Sequence, residues 1–197
     1  MTSAQQAMDL RKRTGAGIVD CKQALEEAGG DAEKAIEILK KKGAAKAAKK
    51  SSERTATEGV IATYLHHNKK LASIVEVACE TDFVARNEEF VAFANDVAMQ
   101  VAAINPEYVS PDQIPADIVE KQKQLFLVDM GEDKKPEEIK VKIIEGKLNK
   151  WYSEICLVKQ EFFKNEDVTM EQLMLELSAK MGEKIVITRF HRMELSK

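Results

Sequence analysis

Apolar residues recur at helical spacing through the first forty residues and predict three short helices. Glycines at 15, 17, 29, 30 and 43 mark the helix ends, and Asp31 stands at the N-cap position of the third helix. The apolar faces comprise Ala7, Leu10, Ile18, Cys21, Leu25, Ala28, Ile36 and Leu39. Three helices in about forty residues make a small bundle with a thin core, which is more typical of an interaction domain than of a catalytic one.

The pattern then changes to one that is rich in β-branched and aromatic residues. Residues 58–66 and 71–80 predict two strands joined by a turn at 67–70, and residues 184–194 predict a third strand. The three strands are expected to form one sheet.

Helical patterns fill the sequence between the hairpin and the third strand. We expect a helix ended by Asn105-Pro106, a helical hairpin over 115–130 and 136–150 that packs antiparallel, and a helix from the capping box at 169–172 to Gly182. The first of these helices has an apolar face formed by Phe90, Phe93, Ala94, Val97, Ala98 and Val101. Residues 151–163 are ambiguous between helix and strand. The predicted class is α+β, with a three-stranded antiparallel sheet packed by helices.

The charge is distributed unevenly along the 197 residues. Residues 1–54 carry a net charge of +4 and residues 55–197 a net charge of -7, within a total of -3. We predict a helical bundle at 1–45, a basic linker at 46–56 and an α+β core at 57–197. The basic stretch at 40–54 is also compatible with a nucleic-acid patch, but no aromatic residues lie among its lysines to stack on bases.

Composition and termini favour a cytoplasmic protein. The chain has 44% hydrophobic and 32% charged residues, and no apolar run approaches the ~20 residues of a membrane helix. The N-terminus lacks the apolar core of a signal peptide. The three cysteines are far apart, without a CxxC pair, which fits a reducing compartment.

Motifs for covalent or metal chemistry are missing from the sequence. No P-loop, GxGxxG or GxSxG motif occurs, and His66 and His67 are the only adjacent pair of His or Cys residues. Neighbours in a strand point to opposite faces, so these two are poorly placed to share a metal ion. We therefore predict no metal, no cofactor and no enzymatic activity, and expect a protein that acts by binding.

The segment 79–87 joins the second strand to the main helix and offers two interpretations. Its polar residues suit a strand-to-helix cap, with Phe83 and Val84 buried under the sheet edge. Alternatively, an acidic residue beside an exposed Phe83 forms a wedge for another protein, since aromatic residues are frequent interface hot spots.

Several motifs in this chain resemble the family of bacterial translation elongation factor Ts. They are 10–17 (LRKRTGAG) with 20–22 (DCK), Gly30-Asp31, 80–87 (ETDFVARN) and 182–190 (GEKIVITRF). They span nearly the whole chain in the family's order. The chain length and the single hairpin at 64–68 resemble the short form of the family, which has one copy of a core subdomain where longer members have two. The resemblance implies a UBA-like (ubiquitin-associated-like) N-terminal bundle.

The resemblance also implies a guanine-nucleotide exchange factor that binds elongation factor Tu in its GDP and nucleotide-free forms. In the family, the segment matching Thr81, Asp82, Phe83 and Val84 reaches the partner's nucleotide site and displaces its magnesium. The other partner-binding residues implied by the family motifs are Arg11, Thr14, Gly15, Ala16, Gly17, Ile18, Val19, Lys22, His66, His67, Arg86 and Asn87. The sequence does not decide between Ile18 and Val19, or between His66 and His67, as the contact.

The resemblance to short family members also implies a symmetric homodimer. An open edge at 184–194 would suit strand pairing between the two copies. No membrane contact and no direct nucleic-acid binding are expected. Two other classes stay open: a nucleic-acid or ribosome adaptor built on 40–54, and a helical scaffold that binds peptides or ubiquitin-like folds through 1–43.

Overall fold

The predicted α+β class is confirmed, with helices and a three-stranded antiparallel sheet. The computed structural model describes residues 4–39, 41–42, 55–130 and 137–195. The helices are α1 (Ala4–Thr14), α2 (Ile18–Glu27), α3 (32–39), α4 (Asp82–Ala85), α5 (Glu88–Ile104), α6 (Ala116–Met130), α7 (Glu137–Ile155) and α8 (Met170–Met181). The strands are β1 (Glu58–Leu65), β2 (Leu71–Cys79), β3 (Glu161–Phe162), β4 (Asn165–Thr169) and β5 (Val186–Glu194).

The chain divides into two compact units, each assembled from separate stretches of sequence. The first unit comprises Met1–Val60, Val77–Val91 and Gln172–Val186. The second comprises Ile61–Glu76, Ala92–Glu171 and Ile187–Lys197. The predicted domains at 1–45 and 57–197 stay a prediction. Of the predicted linker at 46–56, residues 46–54 lie outside the described residues.

The first two N-terminal helices and the start of the third form as the sequence pattern predicts, and the predicted end of the third helix at Gly43 lies outside the described residues. Gly15, with φ +70°, follows α1, and the amide of Gly30, with φ +90°, donates to the carbonyl of Leu25 after α2. Asp31 caps α3, since its Oδ1 accepts from the amides of Glu33 and Lys34 at 3.0 and 3.2 Å. The buried cluster contains Ala7, Leu10, Cys21, Ala24, Leu25, Ala35 and Leu39.

The sheet has the strand order β1-β2-β5, so β2 is central and β5 is an edge strand. Gly59 adopts φ +154°, and a Cβ there would lie 2.2 Å from the carbonyl oxygen of Val77. This close approach requires a glycine in β1. Between β2 and β5, Arg189 Nε lies 2.7 Å from a carboxylate oxygen of Glu76.

The apolar face predicted for α5 is buried as expected. The hydroxyl of Ser73 in β2 donates to the carbonyl of Ala98 in α5 at 2.6 Å, and Arg192 Nε in β5 donates to that of Ala102 at 3.1 Å. Asn105 ends the helix with φ +55°, directly before Pro106.

The second half of the chain contains an element that the sequence pattern missed. Residues 151–163, left open between helix and strand, contain the end of α7, the 3-10 turn Leu157–Lys159 and β3. β3 pairs antiparallel with β4, and the turn between them is only two residues. A two-residue strand is too short for a periodic signal.

The helical hairpin is present as α6 and α7. Lys147 Nζ in α7 lies 3.4 Å from Asp129 Oδ2 and 5.5 Å from the ring centroid of Phe126, both in α6. The connection at 131–136 lies outside the described residues, and the antiparallel arrangement stays a prediction. α8 begins directly after Thr169 and ends at Met181, and Gly182 follows with φ +74°, as predicted.

Candidate functional site

A short helix lies at the end of the central strand, where the sequence analysis placed the candidate wedge. β2 ends at Cys79, and Thr81 is the N-cap of α4 with an extended backbone (φ -128°, ψ 155°). The Thr81 Oγ1 accepts from the amide of Val84 at 3.4 Å. The chain therefore leaves the sheet and begins a helix within two residues.

Phe83 is the most exposed large hydrophobic residue among the residues that the structure describes, with 83% of its surface accessible. Val84 beside it is half-buried, and Ala85 is buried. The alternative that buries Phe83 under the sheet edge is therefore wrong. A large aromatic ring in water is costly, and such residues are common anchors in protein interfaces.

The polar residues around Phe83 have local structural contacts. Asp82 Oδ2 lies 3.1 Å from Arg86 Nη2, one helical turn away. Asn87 Oδ1 accepts from the amide of Glu89 at 2.9 Å and so caps the start of α5. Asp82 thus presents a partly exposed carboxylate next to an exposed guanidinium.

The thiol of Cys79 belongs to the support of this segment. Its Sγ donates to the carbonyl oxygen of Thr81 at 3.2 Å, and the side chain is fully buried. Burial, with a smaller contribution from the charge of Glu183, raises the pKa of Cys79 to about 11. The thiol is protonated near neutral pH and acts as a structural group rather than a nucleophile.

The second candidate surface is the loop at Thr14–Gly17, between α1 and α2. Thr14 Oγ1 donates to the carbonyl of Leu10 at 2.8 Å and accepts from the amide of Ala16 at 3.3 Å. The Sγ of Cys21 donates to the carbonyl of Ala16 at 3.7 Å. Thr14 and Cys21 therefore shape the loop, whereas Gly15 and Gly17 are exposed on it.

The side chains next to this loop differ in exposure. Ile18 packs partly buried against the core of the N-terminal helices, whereas Val19 is 64% exposed. Arg11 and Lys22 are also exposed. Of the two apolar residues that the sequence left undecided, Val19 is the one available to a partner.

The fold brings the two candidate surfaces into one compact unit. Residues 14–22 and 81–87 both belong to the first unit, although about sixty residues separate them in the sequence. Helix α8 lies close to both the loop after α1 and the start of α5. A Cβ on Gly15 would lie 3.9 Å from Lys180 Cγ, and Lys180 Nζ forms an ion pair with Glu89 in α5.

The histidines of the β1–β2 turn belong to the second unit. His66 is half-buried, its Nδ1 lies 3.0 Å from the hydroxyl of Tyr64, and its ring centroid lies 4.2 Å from that of His67. His67 is exposed. Of the two histidines, His67 has the side chain that is more accessible to a partner.

Glu183 supports the exposed segment, a role that does not follow from the sequence alone. Its carboxylate accepts hydrogen bonds from the backbone and side chain of the segment that carries Phe83. The residue lies in the 182–190 motif, but nothing in a linear sequence indicates that a residue about one hundred positions away contacts 80–81.

In the described part of the chain, no group of three or more His, Cys, Asp or Glu residues is placed to hold a metal ion. No helix in the same part is long and apolar enough to cross a membrane.

These observations define an α+β protein whose candidate site is an exposed surface segment that suits contact with another protein. A sequence model of the family described as "Elongation factor TS" matches residues 20–197. The chain is 49% identical over 195 residues to elongation factor Ts of Carboxydothermus hydrogenoformans, covering 99% of this chain and 89% of the relative. It is 51% identical over 195 residues to that of Syntrophus aciditrophicus (99% and 96%), and 50% over 190 residues to that of Thermosipho melanesiensis (96% and 96%).

The chain therefore belongs to the elongation factor Ts family of translation elongation factors. Nucleotide exchange is the general function of this family.

Proposed function

We propose that this protein is a guanine-nucleotide exchange factor. It binds elongation factor Tu in the GDP and nucleotide-free forms, disturbs the magnesium and phosphate site, and promotes release of GDP during translation elongation in the cytoplasm. It changes no covalent bond. The exposure of Phe83 on a short, capped helix is the observation that carries this proposal.

The exposed segment is suited to disturbing a magnesium-nucleotide site. Mg²⁺ is held by phosphate oxygens, waters and a few protein ligands in strict octahedral geometry. Small displacements of those ligands therefore weaken the hold on the nucleotide. In this proposal Phe83 inserts between elements of the partner, with Thr81 and Val84 beside it. The Asp82 carboxylate disturbs the ligands that surround the partner's magnesium ion.

Binding and release are coupled thermodynamically. If this protein lowers the affinity of its partner for GDP by some factor, then bound GDP lowers the affinity of the partner for this protein by the same factor. A tenfold effect corresponds to about 1.4 kcal/mol. An exchange factor therefore needs contacts beyond the wedge, so that it competes with bound GDP.

The loop after α1 supplies such contacts in this proposal. Arg11 and Lys22 offer exposed cations, Gly15 and Gly17 an open backbone, and Val19 an exposed apolar side chain. Thr14, Ala16 and Ile18 are half-buried and shape this surface. His66 and His67, and Arg86 with Asn87, complete the proposed contact set.

We also propose a homodimer through the open side of β5. The position of β5 at the edge of the sheet supports pairing with a second copy, because an edge strand presents unpaired backbone groups. Residues 190–192 are Phe, His and Arg, so no disulfide forms at this strand.

The exchange proposal is tested by following release of fluorescent GDP from elongation factor Tu. The wild-type protein is expected to accelerate release, and Phe83→Ala to lose most of the acceleration. Because Phe83 is 83% exposed, this variant is expected to keep the stability of the wild type within about 0.5 kcal/mol.

Val128→Ala in α6 is the matched control, since Val128 is 78% exposed and lies in the second unit. It is expected to retain full acceleration. Absence of any acceleration by the wild type would reject the exchange function. Full activity of Phe83→Ala would instead remove Phe83 from the mechanism.

A further inference from the structure

The carboxylate of Glu183 accepts three hydrogen bonds from the start of the exposed segment. Its Oε2 lies 3.1 Å from the amide nitrogen of Glu80 and 3.1 Å from that of Thr81. Its Oε1 lies 2.6 Å from the hydroxyl of Thr81. Charged acceptors make stronger hydrogen bonds than neutral ones, so this contact fixes both the backbone and the N-cap residue of α4.

A return hydrogen bond links the same two stretches of chain. The amide of Lys184 donates to Oε1 of Glu80 at 2.6 Å. Residues 80–81 and 183–184 are thus joined in both directions, and all four belong to the first unit.

Glu183 is itself held by the end of α8. The amide of Gly182 donates to the carbonyl of Ser178 at 2.9 Å, and the positive φ of Gly182 (+74°) turns the chain out of the helix. The hydroxyl of Ser178, a buried residue, donates to the carbonyl of Glu183. The carboxylate therefore projects from a defined helix end toward the segment.

The other supports described for this segment are local, namely the Cys79 Sγ hydrogen bond to the Thr81 carbonyl and the Asp82–Arg86 ion pair. α4 is a single turn of four residues, which does not form stably on its own. Phe83 contributes little buried area at its exposed position, Val84 is half-buried, and Ala85 is the one buried residue of the turn. The hydrogen bonds between residues 80–81 and 183–184 add a long-range anchor to this local support.

We propose that Glu183 is a positioning residue for nucleotide exchange, which holds Thr81–Val84 in the conformation that presents Phe83 to the partner. This inference rests on the proposed exchange function. When the carboxylate is removed, the segment samples other conformations, and only the fraction in the presenting conformation binds productively. The half-saturating concentration rises in inverse proportion to that fraction, while the maximal rate at saturation is kept.

The test compares Glu183→Ala, Glu183→Gln and wild type, with Glu166→Ala as a control for loss of an exposed glutamate in β4. Release of fluorescent GDP from elongation factor Tu is measured against the concentration of each variant. Amide hydrogen exchange of residues 80, 81 and 84, and the melting temperature, are measured on each variant alone.

For Glu183→Ala we expect a half-saturating concentration about tenfold higher than that of the wild type, which corresponds to about 1.4 kcal/mol, with an unchanged plateau. Protection of the three amides falls while the rest of the chain keeps its protection. For Glu183→Gln we expect a rise of about threefold, because the amide oxygen still accepts from the two backbone amides but the side-chain nitrogen cannot accept from the Thr81 hydroxyl. Glu166→Ala matches the wild type in every measurement.

A Glu183→Ala variant with wild-type half-saturation, while the wild type accelerates release, would overturn the positioning role and leave the exchange function standing. A wild type that does not accelerate release would reject both. If Glu183→Ala does not fold, Glu183→Gln decides: a threefold rise with reduced protection of the Val84 amide, which donates to the Thr81 hydroxyl oxygen, supports the role, and identity with the wild type overturns it.

Discussion

At the scale of single residues, neighbours in one turn of helix have opposite environments. Phe83 is exposed, Ala85 is buried, and Thr81 connects the turn to Glu183 through its hydroxyl and its amide. The polar residues in the motif 80–87 act both as caps and as a support for Phe83. Thr14 has a comparable supporting role in the loop after α1. This half-buried residue forms hydrogen bonds with the loop backbone, whose glycines are exposed.

The buried thiols make a pH-dependent prediction at this scale. Burial raises the pKa of both Cys79 and Cys156 to about 11, whereas an unfolded thiol ionises near pH 8.5. At pH 8 both thiols are expected to react with iodoacetamide at least about 100-fold more slowly in the native protein than in urea, because the thiolate is the nucleophile. Site-resolved mass spectrometry of labelled peptides measures both rates.

The raised pKa values of the two thiols also make the stability of the folded state depend on pH. As the pH rises from about 9 toward 11, the unfolded chain loses thiol protons before the folded one does, so the folded state loses stability over this window. Equal labelling rates of native and unfolded protein would contradict the burial of these thiols.

At the scale of secondary-structure elements, long periodic segments were predictable and short ones were not. The face of α5 from Phe90 to Val101 repeats over three turns, and its burial follows from the sequence alone. The β3–β4 hairpin depends on a two-residue strand and a turn at 163–164, which a periodic pattern does not register. The close approach of β1 to β2 at Gly59 was equally invisible, because it depends on pairing across strands.

Gly59 gives a prediction for the β1–β2 pair. Gly59→Ala is expected to destabilise the fold by about 2 kcal/mol or more, because the added Cβ would lie 2.2 Å from the carbonyl oxygen of Val77 and φ is +154°. Urea denaturation gives the free energy of unfolding.

Gly146→Ala in α7 is the matched control. A Cβ there meets no atom within 4 Å, and alanine is favoured over glycine inside a helix, so a gain of about 0.5–1 kcal/mol is expected. If Gly59→Ala unfolds at the same urea concentration as the wild type, the strand pairing at this position is not as described.

At the scale of the whole molecule, chain stretches from distant parts of the sequence make up one unit. The first unit contains the N-terminal helices, the segment at 77–91 and most of α8, and it includes both Val19 and Phe83. The uneven charge along the chain gave no indication of this grouping. The turn with His66 and His67 belongs instead to the second unit.

The edge position of β5 leads to a prediction about assembly. Sedimentation is expected to show a dimer of the 22.1 kDa chain at micromolar concentration. Met193→Lys is expected to weaken the dimer roughly tenfold, because Met193 is 77% exposed on this strand and an edge lysine opposes strand pairing.

Val128→Lys introduces the same charge on α6 and is expected to leave the dimer unchanged. A single 22.1 kDa species for the wild type across this concentration range would reject the homodimer.

The sequence by itself determined the long helices, the three long strands, the α+β class and the family motifs, because periodicity and local capping are properties of neighbouring residues. It also placed the candidate site at 80–87. Only the tertiary structure decided that Phe83 is exposed, that Val19 rather than Ile18 faces outward, and that Glu183 holds Thr81. Exposure and long-range hydrogen bonding depend on which distant residues come to lie beside a segment, and this is set by the packing of the whole chain.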